Sequence, residues 1–181
     1  INSEQKLKIA RVADSLIDDD DSIIMTSGST IESMALNLTS HGRLNVVTPS
    51  IRVGVYLSDK ENVDIMMLGG RLVVKSLSVR DSYTQDGLKY VNCSKMFCSC
   101  DGLDVEAGVT TAFVEEARIT DAMMNTASKI ILLVDSSKIG KSGYGKICDL
   151  GRIDILITDA GIPKSVKERI EEEGVQVIIA E

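Results

Sequence analysis

The chain alternates short apolar runs with segments whose apolar residues recur at helical spacing, and this pattern restricts the folds open to it. Ser22-Ile23-Ile24-Met25-Thr26, Leu44-Asn45-Val46-Val47, Val63 to Leu68, Lys95 to Ser99, Lys129 to Val134, Ile153 to Thr158 and Val175 to Ala180 each read as a buried strand. Between them, apolar residues fall at helical intervals in Leu7 to Ile17, Ile31 to Leu38, Ile51 to Leu57, Tyr83 to Tyr90, Glu115 to Thr126 and Pro163 to Glu173. Strands without a polar face need cover on both sides, and intervening helices supply it while making neighbours parallel. The expected fold class is α/β, a mostly parallel sheet with helices on both faces. The section Leu72 to Tyr90 is less regular. With 181 residues, no long Pro- or Ser-rich linker and no repeat, one compact domain is expected.

Charge and composition exclude several functions. The formal charge is −7, and 27 acidic against 20 basic residues, with no basic stripe, repel a nucleic-acid backbone. Aromatic residues make up 3%, too few for base-stacking platforms. No apolar run approaches the roughly 20 residues of a membrane helix, and no signal peptide opens the chain. The four cysteines, Cys93, Cys98, Cys100 and Cys148, read as reduced cytosolic thiols, because Cys98-Ser99-Cys100 lacks zinc-ligand spacing and His41 is the only histidine. His41 sits in a polar turn, Ser40-His41-Gly42, with a surface role. Asp18 to Asp21 reads as a solvated turn rather than a metal site. Neither a metal nor a cofactor is expected, and the location implied is the cytoplasm.

Polar clusters follow five of the strands: Thr26 to Thr30, Thr48-Pro49-Ser50, Gly69-Gly70-Arg71, Asp101 to Asp104, and Asp135-Ser136-Ser137-Lys138. In open α/β sheets ligands bind beyond the carboxyl ends of the strands, so these clusters share the rim where a site belongs. Ser27-Gly28-Ser29-Thr30 has the parts of an anion cradle. Gly28 admits close backbone approach, the helix-opening amides lack intrahelical acceptors, and the hydroxyls add uncharged donors. A plain N-cap would use the same residues. No Walker loop and no G-x-G-x-x-G follows any strand, so nucleotide motifs have no support.

Other residues carry two readings each. Asp101 and Asp104 suit a carboxylate pair, or a turn that prefers Asp and Gly. Gly108-Val109-Thr110-Thr111 reads as a second hydroxyl-rich turn. Glu115 and Glu116 open a helix whose dipole favours them. Lys138 can reach a phosphate as a point charge, or stand as a solvated loop lysine. Arg52, Arg71, Arg80 and Lys141 are further cations whose direction the sequence leaves open.

Taken in order, Thr26-Ser27-Gly28-Ser29-Thr30, Val47-Thr48, Leu68-Gly69-Gly70 and Asp101-Gly102-Leu103-Asp104 resemble the effector-binding domain of DeoR-type bacterial transcriptional regulators. The resemblance continues through Gly108-Val109-Thr110-Thr111, Glu116-Ala117, Ala122-Met123, Asp135-Ser136-Ser137-Lys138 and Ile157-Thr158-Asp159, from Leu7 to Ala180. It implies a fold shared with ribose-5-phosphate isomerases and CoA-transferase-type enzymes. It also implies a phosphorylated sugar or related catabolic intermediate as effector. Ser27, Gly28, Ser29 and Thr30 would hold the phosphate; Thr48, Gly69, Gly70, Asp101 and Lys138 would line the pocket, joined by Arg71, Thr110 and Glu115. Such regulators carry a helix-turn-helix domain ahead of this one, contact DNA only through it, and assemble as dimers or tetramers. The start at Ile1 and the acidic charge fit a truncated chain.

Two positions depart from that family's pattern. Ser27 stands where an acidic residue is usual, which eases phosphate binding. Pro49 replaces the asparagine of a Thr-Asn pair and removes an amide donor. The alternative implied by the fold is a sugar-phosphate isomerase. Its Lys-Gly-Gly-Gly stretch is replaced here by Ala107-Gly108-Val109-Thr110, so a stabiliser of the enediolate is lost. A CoA-transferase would need a nucleophilic glutamate in an identifiable setting, and none is recognisable. A sensor, without catalytic residues, is the expectation.

Overall fold

In the computed structural model, which describes residues 3–39 and 42–181, seven parallel strands form one sheet. Ser40 and His41 lie outside the described residues. The elements that make up the sheet layer and its cover are α1 (Ser3–Asp14), β1 (Ser22–Met25), α2 (Ser29–Leu36), β2 (Leu44–Thr48), α3 (Ile51–Leu57) and β3 (Val63–Met67). After them come β4 (Leu72–Val73), β5 (Ser78–Val79), α4 (Ser82–Leu88), β6 (Cys93–Cys98), β7 (Gly102–Asp104), β8 (Gly108–Thr111) and α5 (Val114–Met124). The chain continues through β9 (Ala127–Leu133), β10 (Gly145–Cys148), β11 (Ile155–Asp159), α6 (Lys164–Glu172) and β12 (Gln176–Ala180). The order across the sheet is β12-β11-β9-β6-β1-β2-β3.

The strands divide their side chains between two cores. Ile23 and Met25 of β1, Phe97 of β6, Ile131 and Leu133 of β9 and Ile157 of β11 face one side, where Ile9 and Ala13 of α1, Ile31 and Met34 of α2 and Val53 of α3 cover them. Ile24, Met96, Cys98, Ile130, Leu132 and Leu156 face the other, against Leu88 of α4, Met123 of α5 and Ile170 of α6. The period-2 alternation of a strand is thus met by an apolar layer on each side, as continuous apolar runs require.

Two smaller sheets depart from the sequence-based expectation. The expected turn at Gly108-Val109-Thr110-Thr111 is instead strand β8, the middle of a three-stranded antiparallel sheet β10-β8-β7. Thr110 is buried there, its hydroxyl donating to Gly102 O over 3.1 Å and accepting from Gly143 N over 2.8 Å. The irregular stretch after Leu72 contains the hairpin β4-β5, which is stitched to the end of β2. Val79 N donates to Pro49 O and Ile51 N to Leu77 O, each over 2.9 Å.

Candidate functional site

Strand order reverses direction at β1. The chain runs from β1 outward through β2 and β3, then returns to place β6 on the other side of β1. The loops leaving β1 and β6 therefore part company and open a crevice, the location at which open α/β sheets bind ligands. Ser27 and Gly28 follow β1, and Ser99 to Asp101 follow β6. A Cβ on Gly28 would stand 3.7 Å from that of Ser99, so the two loops face each other closely.

Gly28 holds φ 121° and ψ 151°, a conformation open to glycine and strained for other residues. It is the N-cap of α2, and no side chain caps that helix. The first-turn amides, those of Ser29 and Thr30 among them, thus lack the capping partner that most helices supply. The conformation at Gly28 turns the chain from β1 directly into α2.

A cleft of about 430 Å³ lies over this point. One wall is Ser27, Gly28 and Ser29 with Glu32 and Arg52; the opposite wall is Asp101, Ala112, Phe113 and Glu116. The β4-β5 hairpin closes a third side with Val73, Lys75, Ser76 and Arg80. A water-sized recess of about 20 Å³ continues below, between Thr26, Ser27, Pro49, Ser99, Arg80 and Glu116. Arg52 pairs with Glu32 at 3.3 Å and Arg80 with Glu116 at 3.4 Å, while Lys75 has no ion-pair partner among the described residues. Asp101 accepts from Thr111 Oγ1 and Ala112 N, both at 2.9 Å, and so fixes the chain where β8 passes into α5. Burial pushes the Glu116 carboxyl above its ordinary range. The Thr111 hydroxyl opposes that rise, Asp101 adds to it and Arg80 offsets it.

Of the residues singled out in sequence, Ser27, Gly28, Ser29 and Asp101 line the cleft. Thr30 is buried within α2. Thr48 is also buried, its hydroxyl accepting from Ser50 N over 3.1 Å; Ser50 then caps α3 by accepting from Val53 N. Gly69 and Gly70 are held away from the cleft by α4: Thr84 Oγ1 donates to Gly69 O over 2.8 Å, and Arg71 N donates to Asp81 over 2.8 Å. Arg71 and Glu115 line a neighbouring groove with Arg118, and Arg80 borders both spaces. Thr110 is committed to the small sheet. Lys138 is half-buried beside Cys100 and is not among the residues lining the cleft. Asp104 accepts from Glu106 N and Ala107 N at 2.9 Å, the turn role, and does not face Asp101 as a partner.

Arg52 and Arg80, cations that the sequence leaves without a direction, line the cleft, and Glu116 and Lys75 join them there. A signal for Glu116 exists in the sequence: it shares a helical stripe with Thr120 and Met123, and all three border the inner recess. Arg80 and Lys75 depend on a hairpin whose strands are two residues long, too short to announce themselves by alternation.

The pattern of a DeoR C-terminal sensor domain matches residues 1–160. The chain belongs to that family. It is 33% identical over 179 residues to a protein of Escherichia coli O157:H7 assigned, in its name, to repression of the aga operon, covering 99% of this chain and 66% of that relative. It is 32% identical over 179 residues to the HTH-type transcriptional repressor GlcR of Bacillus subtilis, covering 99% and 69%. The chain thus spans about two thirds of the length of these relatives. Both relatives are named as transcriptional regulators, not enzymes.

The fold recurs in ribose 5 phosphate isomerase A from Neisseria gonorrhoeae, with TM-score 0.58 and 16% identity over 81% of this chain and 57% of that one. It also recurs in eIF2B beta from Chaetomium thermophilum, with TM-score 0.57 and 14% identity over 84% and 48%. At such identities the likeness concerns architecture alone. This DeoR sensor domain is thus an α/β unit with an isomerase-like sheet. Among the described residues no helix is long and apolar enough to cross a membrane.

Proposed function

We propose that the cleft at the β1/β6 crevice binds a phosphorylated sugar or related catabolic intermediate. Its occupancy would govern DNA binding by a helix-turn-helix part lying outside these residues, in a cytoplasmic repressor working as a homodimer or homotetramer. One observation carries this reading: the uncapped start of α2, entered through Gly28, faces the same cleft as Arg52, Lys75 and Arg80. Unsatisfied amides and a helix dipole favour an anion, and guanidinium groups match phosphate oxygens in pairs. Ser27 contributes a neutral hydroxyl where a carboxylate would repel the ligand. The name of a further relative, the lactose phosphotransferase system repressor of Staphylococcus epidermidis, 30% identical over 170 residues, agrees with a role in sugar catabolism.

Within that proposal the phosphate rests on Ser27, Gly28, Ser29 and the Thr30 amide, with Arg80 and Lys75 reaching over it. Asp101 and Glu116 offer acceptors to sugar hydroxyls. Thr48, Gly69, Gly70 and Thr110 would act by holding the rim. Arg71, Glu115 and Lys138 would tune the surrounding charge.

A thermal-shift screen tests it. Sugar phosphates should raise the melting temperature of the 181-residue chain, and the corresponding free sugars should not. Each charge-assisted hydrogen bond to the phosphate is worth about 1.5–3 kcal/mol, enough for a measurable shift. A broad panel of phosphorylated sugars with no shift at millimolar concentration would sink the reading.

A further inference from the structure

The two halves of α1 are held very differently. From Ile9 onward the helix buries Ile9, Ala10, Ala13 and Asp14, whereas no residue from Ser3 to Lys8 is buried. Among the described residues, one side-chain bond joins that first half to another element: Lys6 Nζ donates to Ser29 Oγ over 2.9 Å. The pairing of Lys8 with Glu4 stays within the helix. Ser29 is a wall residue of the cleft and the first residue of α2. An ammonium on the first helix of the described chain therefore stands one hydroxyl away from the proposed cradle.

We propose that Lys6 couples occupancy of the cleft to the docking of α1. In the structure its ammonium donates to a neutral hydroxyl. An anion seated on Ser27 to Ser29 would take that ammonium as a ligand, exchanging a neutral acceptor for a charged one. Charge-assisted hydrogen bonds are shorter and roughly twice as strong as neutral ones, so the exchange tightens a half-helix that has no buried residue of its own.

A ligand shifts a conformational equilibrium only through contacts that differ between its two states. The Lys6–anion bond is such a contact, because it forms only when the start of α1 lies against α2. By reciprocity, whatever holds α1 docked also strengthens binding of the anion. An uncharged sugar offers Lys6 nothing beyond what Ser29 already supplies. The inference rests on the proposed function, since it requires an anion in the cleft.

NMR-detected amide exchange on the 181-residue chain separates the two ideas, with inorganic phosphate and ribose 5-phosphate as probes. In the wild-type chain either probe should slow exchange in the first turns of α2 and at Leu7 to Ala10. The latter effect should be roughly tenfold, the factor equivalent to about 1.4 kcal/mol. In Lys6→Met the α2 response should persist at weaker affinity, while Leu7 to Ala10 exchange at one rate with or without probe. Lys6→Arg should restore the response.

If Leu7 to Ala10 ignore the probes in the wild-type chain while α2 responds, the coupling is overturned and the site stands. The coupling is equally overturned if Lys6→Met keeps the wild-type response. Silence of both segments overturns the site, and the coupling with it.

Discussion

Arg80 and Glu116 face each other at 3.4 Å across the floor of the cleft, with the guanidinium 5.0 Å from the centre of the Phe113 ring. The arginine comes from the end of the hairpin and the glutamate from the first turn of α5, so the pair ties two walls together. Any anionic ligand that recruits Arg80 must compete with this carboxylate. In the proposed site the pair would therefore set both the affinity and its dependence on pH.

Glu116→Gln should tighten binding of a phosphorylated ligand at neutral pH, by roughly three- to tenfold, the scale of one partly screened charge contact. Burial raises the Glu116 carboxyl above its ordinary 4.5, so the folded chain holds this proton more firmly than the unfolded chain. Its contribution to stability consequently falls as pH rises through the window between 4.5 and the raised value. Anion affinity should climb as pH falls through the same window, and Glu116→Gln should flatten that climb. Calorimetric titration across pH checks this; an unchanged slope in the variant would remove Glu116 from the site.

Arg80→Met and Arg71→Met should differ. Arg80 borders the cleft, whereas Arg71 lines only the neighbouring groove. Loss of a guanidinium–phosphate contact should weaken binding by more than about tenfold at position 80, and by less than about threefold at position 71. Equal losses would place the anion in the groove instead.

The large sheet is readable from sequence because its inner strands carry apolar residues on both faces, and Ile51–Leu57 forms a helix over the very residues whose spacing predicts one. The small sheet is not. Gly108-Val109-Thr110-Thr111 has the composition of a turn, and it becomes a strand only because β7 and β10 pair with it from either side. At the site, Ser27 to Ser29 and Asp101 are visible because they directly follow buried strands. Thr48 and Gly70 have the same position in their loops yet are taken up by packing; a Cβ on Gly70 would collide with the Thr84 hydroxyl. Which strand-end loops open and which close is decided by strand order, and that order is a tertiary property.

On the opposite rim of the sheet, Lys95 bonds Asp18 and Asp21 at 2.6 Å, with Lys95 and Asp21 nearly buried. Burial pushes the Asp21 carboxyl up, but hydrogen bonds from Lys95, Ser94 and the Asp18 amide outweigh it and leave it below 3.8. A depressed carboxyl stabilises the fold above its unfolded value, and that stability is lost as pH falls through the folded value. Lys95→Met should cost about 2 kcal/mol at pH 7, between the ranges for surface and buried pairs, without altering ligand affinity. Urea denaturation checks the cost, and the difference between the two proteins should shrink below pH 3.8.

Gly28→Ala addresses the conformation at the start of α2. An alanine Cβ at that position meets only ordinary contact, 3.7 Å from the Ser99 Cβ, so the cost is set by a backbone with φ 121°. Such strain costs about 1–3 kcal/mol, and a chain of this size loses about 2–4 °C of melting temperature per kcal/mol. The variant should therefore fold with a lowered melting temperature. It should also lose the shift produced by sugar phosphates, because relaxing φ re-aims the Ser29 and Thr30 amides away from the cleft. A folded Gly28→Ala chain that keeps the wild-type ligand shift would show that these amides do not hold the anion.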